Sequence, residues 1–253
     1  MGKVISFANQ KGGVGKTTSA VNVAASLGVL GFKTLLIDLD PQGNATSGVG
    51  IIKKGLKKTT MDLLTQDDGF EETIYETDFK NLKIVPCTVA LAGAEFEVAE
   101  LDNCEYRMKD ALATFKDQFD YIIIDCPPSL GMLTINALSA SDGVIIPMQC
   151  EFYALEGLSQ LIITLTKIKQ HYNSNLSITG ILVTMYNTRL LLSAQVIGEL
   201  KKHYSDKLFT TPISRNVKLS EAPSYGLPVY YHSRSSKGAR EYLAVAKELS
   251  MRI

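Results

Sequence analysis

The run Asn9-Gln10-Lys11-Gly12-Gly13-Val14-Gly15-Lys16-Thr17-Thr18 follows directly on an apolar segment, Val4-Ile5-Ser6-Phe7-Ala8. An apolar strand, a glycine-rich turn and then a helix is the order a phosphate-binding loop requires, and it commits the start of the chain to a β–α unit. Three glycines let backbone N–H groups converge on an anion without Cβ clashes, and the helix that follows adds the positive end of its dipole. Lys16 offers a mobile point charge for β- and γ-phosphates, and the Thr17 hydroxyl can ligate Mg²⁺. Residues Gly12 to Thr18 therefore predict a nucleoside triphosphate site.

The loop departs from the strict pattern G-x-x-x-x-G-K-[ST]. Its first glycine should stand at position 10, which is Gln10, and Lys11 follows it. A second lysine so close to Lys16 is a poor choice unless it neutralises something. Two readings stay open: a solvated surface lysine, or a charge aimed at nucleotide held by another subunit, as an arginine finger acts in trans.

Short, apolar, β-branched segments alternate with longer amphipathic ones. Strands are expected near 2–8, 34–39, 82–86, 120–125, 143–148 and 178–185, and helices near 16–29, 105–118, 131–140, 153–171, 191–204 and 239–250. Gly31 should end the first helix. Repeated β–α–β order with right-handed crossovers predicts a single-domain α/β fold over 1–253, with a mostly parallel, twisted sheet flanked by helices on both faces. The segment from 43 to 80 is less regular and is expected to be a solvated excursion with one or two short helices. Ligands of such sheets sit at the carboxyl ends of strands. Two further motifs end strands there: Leu35-Leu36-Ile37-Asp38-Leu39-Asp40-Pro41-Gln42-Gly43-Asn44, and Tyr121-Ile122-Ile123-Ile124-Asp125-Cys126-Pro127-Pro128-Ser129.

With these motifs the chain resembles the ParA/MinD group of P-loop ATPases. Lys11 to Thr18 looks like their deviant Walker A motif, and the Asp125 segment looks like their Walker B strand and switch II. Gln149 to Gly157 and Val217 to Gly226 are similar to the chromosomal ParA (Soj) branch in particular, and the likeness runs through essentially the whole chain. The resemblance implies ATP/ADP and Mg²⁺ as ligands and an ATP-sandwich homodimer in which Lys11 reaches the partner's phosphates. It implies slow ATP hydrolysis stimulated by a ParB-type centromere-binding protein, and nonspecific binding to double-stranded DNA. Lys11, Lys16 and Asp40 are the implied catalytic residues, with Asp40 orienting the attacking water. Thr17, Asp38 and Asp125 are assigned to the metal site. Asp38 and Asp40 are expected to point to opposite faces of an extended strand and so to have separate jobs.

Adenine recognition is assigned to Asn187, Ser214 and Asn216. Here the sequence departs from the family pattern: Thr211-Pro212-Ile213-Ser214-Arg215-Asn216 carries its proline two residues early, and Asn187 stands where the family more often has aspartate. The DNA candidates are Arg189, Arg215 and Lys218, with Lys237 and Arg240 as further members.

Charge supports that last assignment. The chain carries 26 Lys+Arg against 26 Asp+Glu, but residues 1–186 hold 15 against 21 while residues 187–253 hold 11 against 5. A basic binding face and a merely basic surface both fit such an asymmetry. The four cysteines are scattered and form no C-x-x-C pair, which reads as reduced core thiols in a cytoplasmic protein; the resemblance adds the expectation that it is nucleoid-associated. No apolar run reaches the length of a membrane span, and an early first strand leaves no room for a signal peptide. No helix-turn-helix domain is expected before the loop. A MinD-like membrane switch, the alternative function, needs a detachable amphipathic C-terminal helix, and the chain ends without a tail beyond its last core-like helix. A metabolic P-loop enzyme needs a second substrate pocket, for which the sequence shows no constellation.

Overall fold

The computed structural model describes residues 2–253. The seven strands are β1 (Lys3–Phe7), β2 (Thr34–Asp38), β3 (Tyr75–Glu76), β4 (Leu82–Val85), β5 (Tyr121–Asp125), β6 (Gly143–Gln149) and β7 (Ser177–Thr184). They form one sheet in the order β3-β4-β2-β5-β1-β6-β7, parallel throughout except for β3, which runs antiparallel on β4 at the edge. All residues of β2 and β5 are buried, as central strands covered on both faces must be.

Helix α1 (Lys16–Leu30) crosses from β1 to β2. It ends where expected, because Gly31 takes the left-handed conformation (φ 106°) and its N–H reaches back to the Gly28 carbonyl. The chain then runs through α2 (Asn44–Gly48), α3 (Thr60–Thr65), α4 (Leu91–Ala99), α5 (Arg107–Ala113), α6 (Met132–Ala140), α7 (Ala154–His171), α8 (Leu191–Tyr204), α9 (Val217–Glu221), α10 (Val229–His232) and α11 (Lys237–Arg252). One face of the sheet is covered by α1, α10 and α11, with Tyr242, Val245 and Leu249 in the core. The other is covered by α3 to α8 through Leu63, Val98, Leu112, Leu133, Leu161 and Leu200. Crossovers leave β1 in opposite directions along the sheet, so the loop after β1 opens at the topological switch point.

The six expected strands are all present. The expected excursion at 43–80 holds two short helices, and also the two-residue β3, which is too short to show periodicity. The single helix expected over 105–118 is α5 followed by a separate 3-10 turn at Lys116–Gln118. Helix α4 went unforeseen because it lacks a capping side chain at Ala90 and contains Gly93. The expected opposition of Asp38 and Asp40 fails on geometry. Residues two apart on a strand share a face; the two separate because β2 stops at Asp38 and the backbone turns, with the Gly43 N–H donating to the Asp40 carbonyl at 2.7 Å.

Candidate nucleotide site

The loop between β1 and α1 is an open cradle. Gly13 (φ 73°) and Gly15 (φ 86°) hold the left-handed backbone that glycine alone adopts freely, and Gly12 has open space where a side chain would stand. The cradle is pinned from the neighbouring strands. Asn9 Nδ2 donates to the Pro147 carbonyl and Asn9 Oδ1 accepts from the Lys11 N–H, which folds the loop entrance. Gln149 Nε2, at the end of β6, donates to the Gly13 carbonyl at 2.7 Å. The buried Thr184 hydroxyl, at the end of β7, donates to the Val14 carbonyl at 2.7 Å and approaches the Met148 carbonyl at 3.2 Å. These bonds turn the Gly13 and Val14 carbonyls away from the cradle and leave its N–H groups free to face an anion. Gln149 and Thr184 were missed in the sequence, since a polar residue at a strand end carries no signal of the loop it will meet.

Lys16 is buried, with 7% exposure, and its Nζ approaches the Lys11 carbonyl at 3.4 Å. Burial lowers its pKa, opposed by the nearby carboxylates of Asp125 and Asp40. Those two acids therefore share the lysine's surroundings, as sequence reasoning expected. Lys11 behaves differently. Its side chain is 47% exposed and forms an ion pair with Glu151, after the end of β6, rather than entering its own cradle. Glu151 was not foreseen as its partner.

Asp125 ends β5, is wholly buried, and neither carboxylate oxygen has a hydrogen-bond partner. Burial pushes its pKa well up, the neighbouring Asp38 adds to this, and the Thr17 hydroxyl works against it without reaching hydrogen-bond geometry. An orphaned buried carboxylate beside a loop threonine is a costly arrangement unless a cation completes it. The residues thus fit a divalent ion held by Thr17 and Asp125. Two oxygen donors, completed by phosphate oxygens and water, would suit Mg²⁺.

Asp38 has a different commitment. One oxygen accepts from the Thr46 N–H (2.7 Å) and hydroxyl (2.6 Å), the other from the Asp40 N–H at 3.3 Å. Burial raises its pKa to about 6 despite those bonds. It fixes the first turn of α2 and the Asp40 backbone. Asp40 itself is at the crevice wall, with one oxygen accepting from the Gln42 N–H at 3.0 Å.

Beside the loop lies a cavity of about 530 Å³ lined by Gly15, Thr18, Thr184, Met185, Ser214, Arg215, Asn216, Pro223 and Tyr242. It is large enough for a nucleoside. Ser214 and Asn216 reach it as expected. Ser214 is anchored by Glu241, to which its N–H (2.9 Å) and hydroxyl (2.7 Å) both donate, and Asn216 Oδ1 caps α9 at the Lys218 N–H. Asn187 does not line the cavity; it is exposed and its Oδ1 accepts from the Arg189 N–H. Pro212 is likewise absent from the wall, while Met185 and Pro223, to which the sequence reading gave no role at the nucleoside, are part of it.

Arg189, Arg215 and Arg240 are exposed with no ion pair among the described residues, whereas Lys218 pairs with Glu221 at 2.7 Å and Lys237 with Glu241 at 3.7 Å. The cysteines are all free, and burial pushes the Cys126 thiol up to about 12 and Cys150 to about 11, which makes both inert. No helix among the described residues is long and apolar enough to cross a membrane.

A glycine-rich cradle at the switch point, a buried loop lysine, a loop threonine facing an orphaned aspartate and a second, outward lysine define a P-loop nucleotide-binding protein of the two-lysine class. A family model described as an AAA domain matches residues 2–178. The chain is 52% identical over 250 residues to the sporulation initiation inhibitor protein Soj of Bacillus subtilis, covering 99% of each. It is 48% identical to the chromosome partitioning protein ParA of Myxococcus xanthus, over 100% of this chain and 89% of that protein. A solved structure of cobyrinic acid a,c-diamide synthase from Mycobacterium smegmatis, with bound ATP analogue and magnesium, is 36% identical with a TM-score of 0.88, covering 99% of this chain and 94% of that one. The chain belongs to the Soj and ParA family of chromosome-partitioning P-loop ATPases.

Proposed function

We propose that this protein is an ATP-driven DNA-partitioning switch: it dimerises around two ATP molecules, binds DNA nonspecifically as a dimer, and resets by slow hydrolysis that a ParB-type protein accelerates. The observation that carries the reading is Lys11, which stands at the mouth of the cradle, half exposed and turned away from its own phosphate site. Two triphosphates facing each other repel strongly unless each is neutralised from both sides, and an outward lysine supplies that second side. Its ion pair with Glu151 is half exposed and therefore weak, so releasing it costs little.

Within each subunit, the loop N–H groups and Lys16 bind the phosphates, and the cavity beside Ser214 and Asn216 takes the nucleoside. Mg²⁺, held by Thr17 and Asp125, supplies charge neutralisation at the phosphates. Asp38 acts through Thr46 and the Asp40 backbone, and Asp40 orients the attacking water. One carboxylate with an oxygen already engaged by Gln42 organises water loosely, which suits slow turnover and a partner that improves it. Arg189 and Arg215, with Lys218, Lys237 and Arg240, supply phosphate contacts that carry no sequence information and weaken steeply with salt.

The membrane-switch alternative is disfavoured because α11 is no loose tail: Tyr242, Val245, Ala246 and Leu249 are buried against α1, and the Tyr242 and Ser19 hydroxyls are hydrogen-bonded at 3.0 Å. The direct test is light scattering with ATP. Wild type should dimerise, Lys11→Ala should not, and Gly12→Val should bind ATP yet stay monomeric, since a side chain there meets nothing within the subunit. An ATP-independent dimer, or a Gly12→Val dimer, contradicts the sandwich.

A further inference from the structure

At the amino ends of β1, β6 and β7, the end of the sheet opposite the nucleotide cradle, lies a second cavity of about 350 Å³. Ligands of parallel sheets sit at the carboxyl ends of strands, so this cavity is no extension of the nucleotide site. The five residues of β1 alone put about 17 Å between the two. Four stretches of chain build it: the start of β1, one face of α5, the turn from α6 to β6 and the turn from α7 to β7.

Its wall is cationic. Lys109, Leu112 and Lys116 recur at intervals of three and four, which sets them on one side of α5 and the turn after it, with Leu112 buried between the lysines. Lys3, at the start of β1, lines the same wall. None of the three forms an ion pair among the described residues. Lys109 Nζ rests 5.6 Å from the centre of the Tyr106 ring, a contact that leaves its N–H donors unused. The neighbouring acids serve the backbone: Asp142 accepts from the Val4 N–H at 2.9 Å and Asp120 from the Lys33 N–H at 2.7 Å. Nor do the lysines serve the carbonyl end of α6, because Asn173 Nδ2 donates to the Leu138 and Ser141 carbonyls at 2.9 and 2.7 Å.

Ser139, in the last turn of α6, lines this cavity too. It is 1% exposed, and its hydroxyl has no hydrogen-bond partner. A helical serine can return its hydroxyl to the carbonyl four residues back, as Ser141 does with Ala137 at 2.7 Å. Ser139 does not, and a buried hydroxyl left in that state is costly unless something else accepts from it. Gly2 belongs to the same construction. A Cβ there would collide with the Lys116 carbonyl, so glycine lets the chain start pack directly on the turn that carries Lys116.

We propose that this cavity is a second anion site, which takes the phosphate monoester of a small soluble molecule of sugar size. Three converging ammonium groups neutralise the phosphate dianion, and the recessed Ser139 hydroxyl donates to one of its oxygens. The volume leaves room for a sugar beside Asn175, whose side chain has no other hydrogen bond among the described residues. The depth of Ser139 selects a small molecule over nucleic acid, since a backbone phosphate of a stiff duplex cannot enter a cavity of this size.

The test is an amide chemical-shift titration of the full chain with its P-loop kept filled by Mg·ADP. Ribose 5-phosphate is the probe, with sulfate and random duplex DNA as controls at physiological ionic strength. Ribose 5-phosphate should shift the Gly2, Ser139 and Asn175 amides saturably while those of Gly13 and Gly15 stay still. Lys109→Gln combined with Lys116→Gln should weaken this binding by at least about tenfold, because hydrogen bonds from charged donors are the stronger kind. Ser139→Ala should weaken it several-fold yet melt no lower than wild type, since the hydroxyl makes no bond in the empty protein. Shifts absent at Ser139, or binding unchanged in both variants, overturn the site. Equal affinity for sulfate overturns it in favour of a patch that attracts any anion, and DNA that moves the same amides at lower concentration overturns it in favour of a nucleic-acid surface.

Discussion

Asp125→Asn should make the nucleotide-free protein more stable while removing its response to magnesium. The wild-type carboxylate is wholly buried with both oxygens unpartnered, and burial holds its pKa well above the ordinary carboxylate range. A raised folded-state pKa means that the folded form holds its proton more tightly than the unfolded form does. Stability on this account is fullest below the unfolded value and falls as pH rises from there toward the folded value. At neutral pH the empty protein therefore carries a penalty that the neutral amide escapes. An unsatisfied buried neutral group costs about 1–3 kcal/mol and a charged one more, so the net gain should be on the order of 2 kcal/mol. For a chain of this size that raises Tm by about 4–8 °C. Differential scanning calorimetry at pH 7.5, without nucleotide and then with ATP in the presence and absence of Mg²⁺, reads both effects. Wild type should gain stability from magnesium by mass action, and Asp125→Asn should not. A nucleotide-free Tm that drops, or a magnesium increment that persists, would refute the assignment of Asp125 to the cation.

Lys16→Ala should abolish ATP binding in calorimetry, because no other side chain can enter the cradle in place of its charge; near-normal affinity would undo the P-loop assignment. Glu151→Gln should free Lys11 and strengthen ATP-driven dimerisation by a few-fold at most, since a half-exposed pair is worth less than about 1 kcal/mol; light scattering that shows a weaker dimer would give Glu151 a role across the interface instead. Thr184→Val keeps the volume but leaves the Val14 carbonyl without its donor, so chemical unfolding should show a loss of about 1–2 kcal/mol, with weaker ATP binding by isothermal titration. Unchanged affinity would mean that the loop needs no brace from β7.

The strand–loop–helix run, the six apolar strands and the Asp125 strand end were legible because each is a local pattern with one physical meaning. Local patterns also placed Thr17 opposite Asp125. What the sequence hid is long-range. Glu151 lies 140 residues from Lys11, Thr184 lies 170 from Val14, and Glu241 lies 27 from Ser214. Only the sheet order brings such pairs together, and no periodicity encodes it. The Thr46 partner of Asp38 was hidden for a related reason: an aspartate at a strand end looks the same whatever meets it, and here the Thr46 N–H and hydroxyl, eight residues on, donate to one of its oxygens. Asn187 shows the converse, a residue carried onto the nucleoside by motif position that the structure spends on its own turn.

The central claim is that nucleotide gates DNA binding through dimerisation, and a mobility shift of random-sequence duplex tests it most directly. With ATP, Asp40→Ala should dimerise, fail to reset and hold DNA persistently, because a dimer doubles the basic contacts without creating new ones. Rising salt should release it steeply, and adding Arg189→Ala should remove much of the binding while leaving the dimer intact. Equal DNA binding with ADP, or binding untouched by Arg189→Ala, would contradict the account.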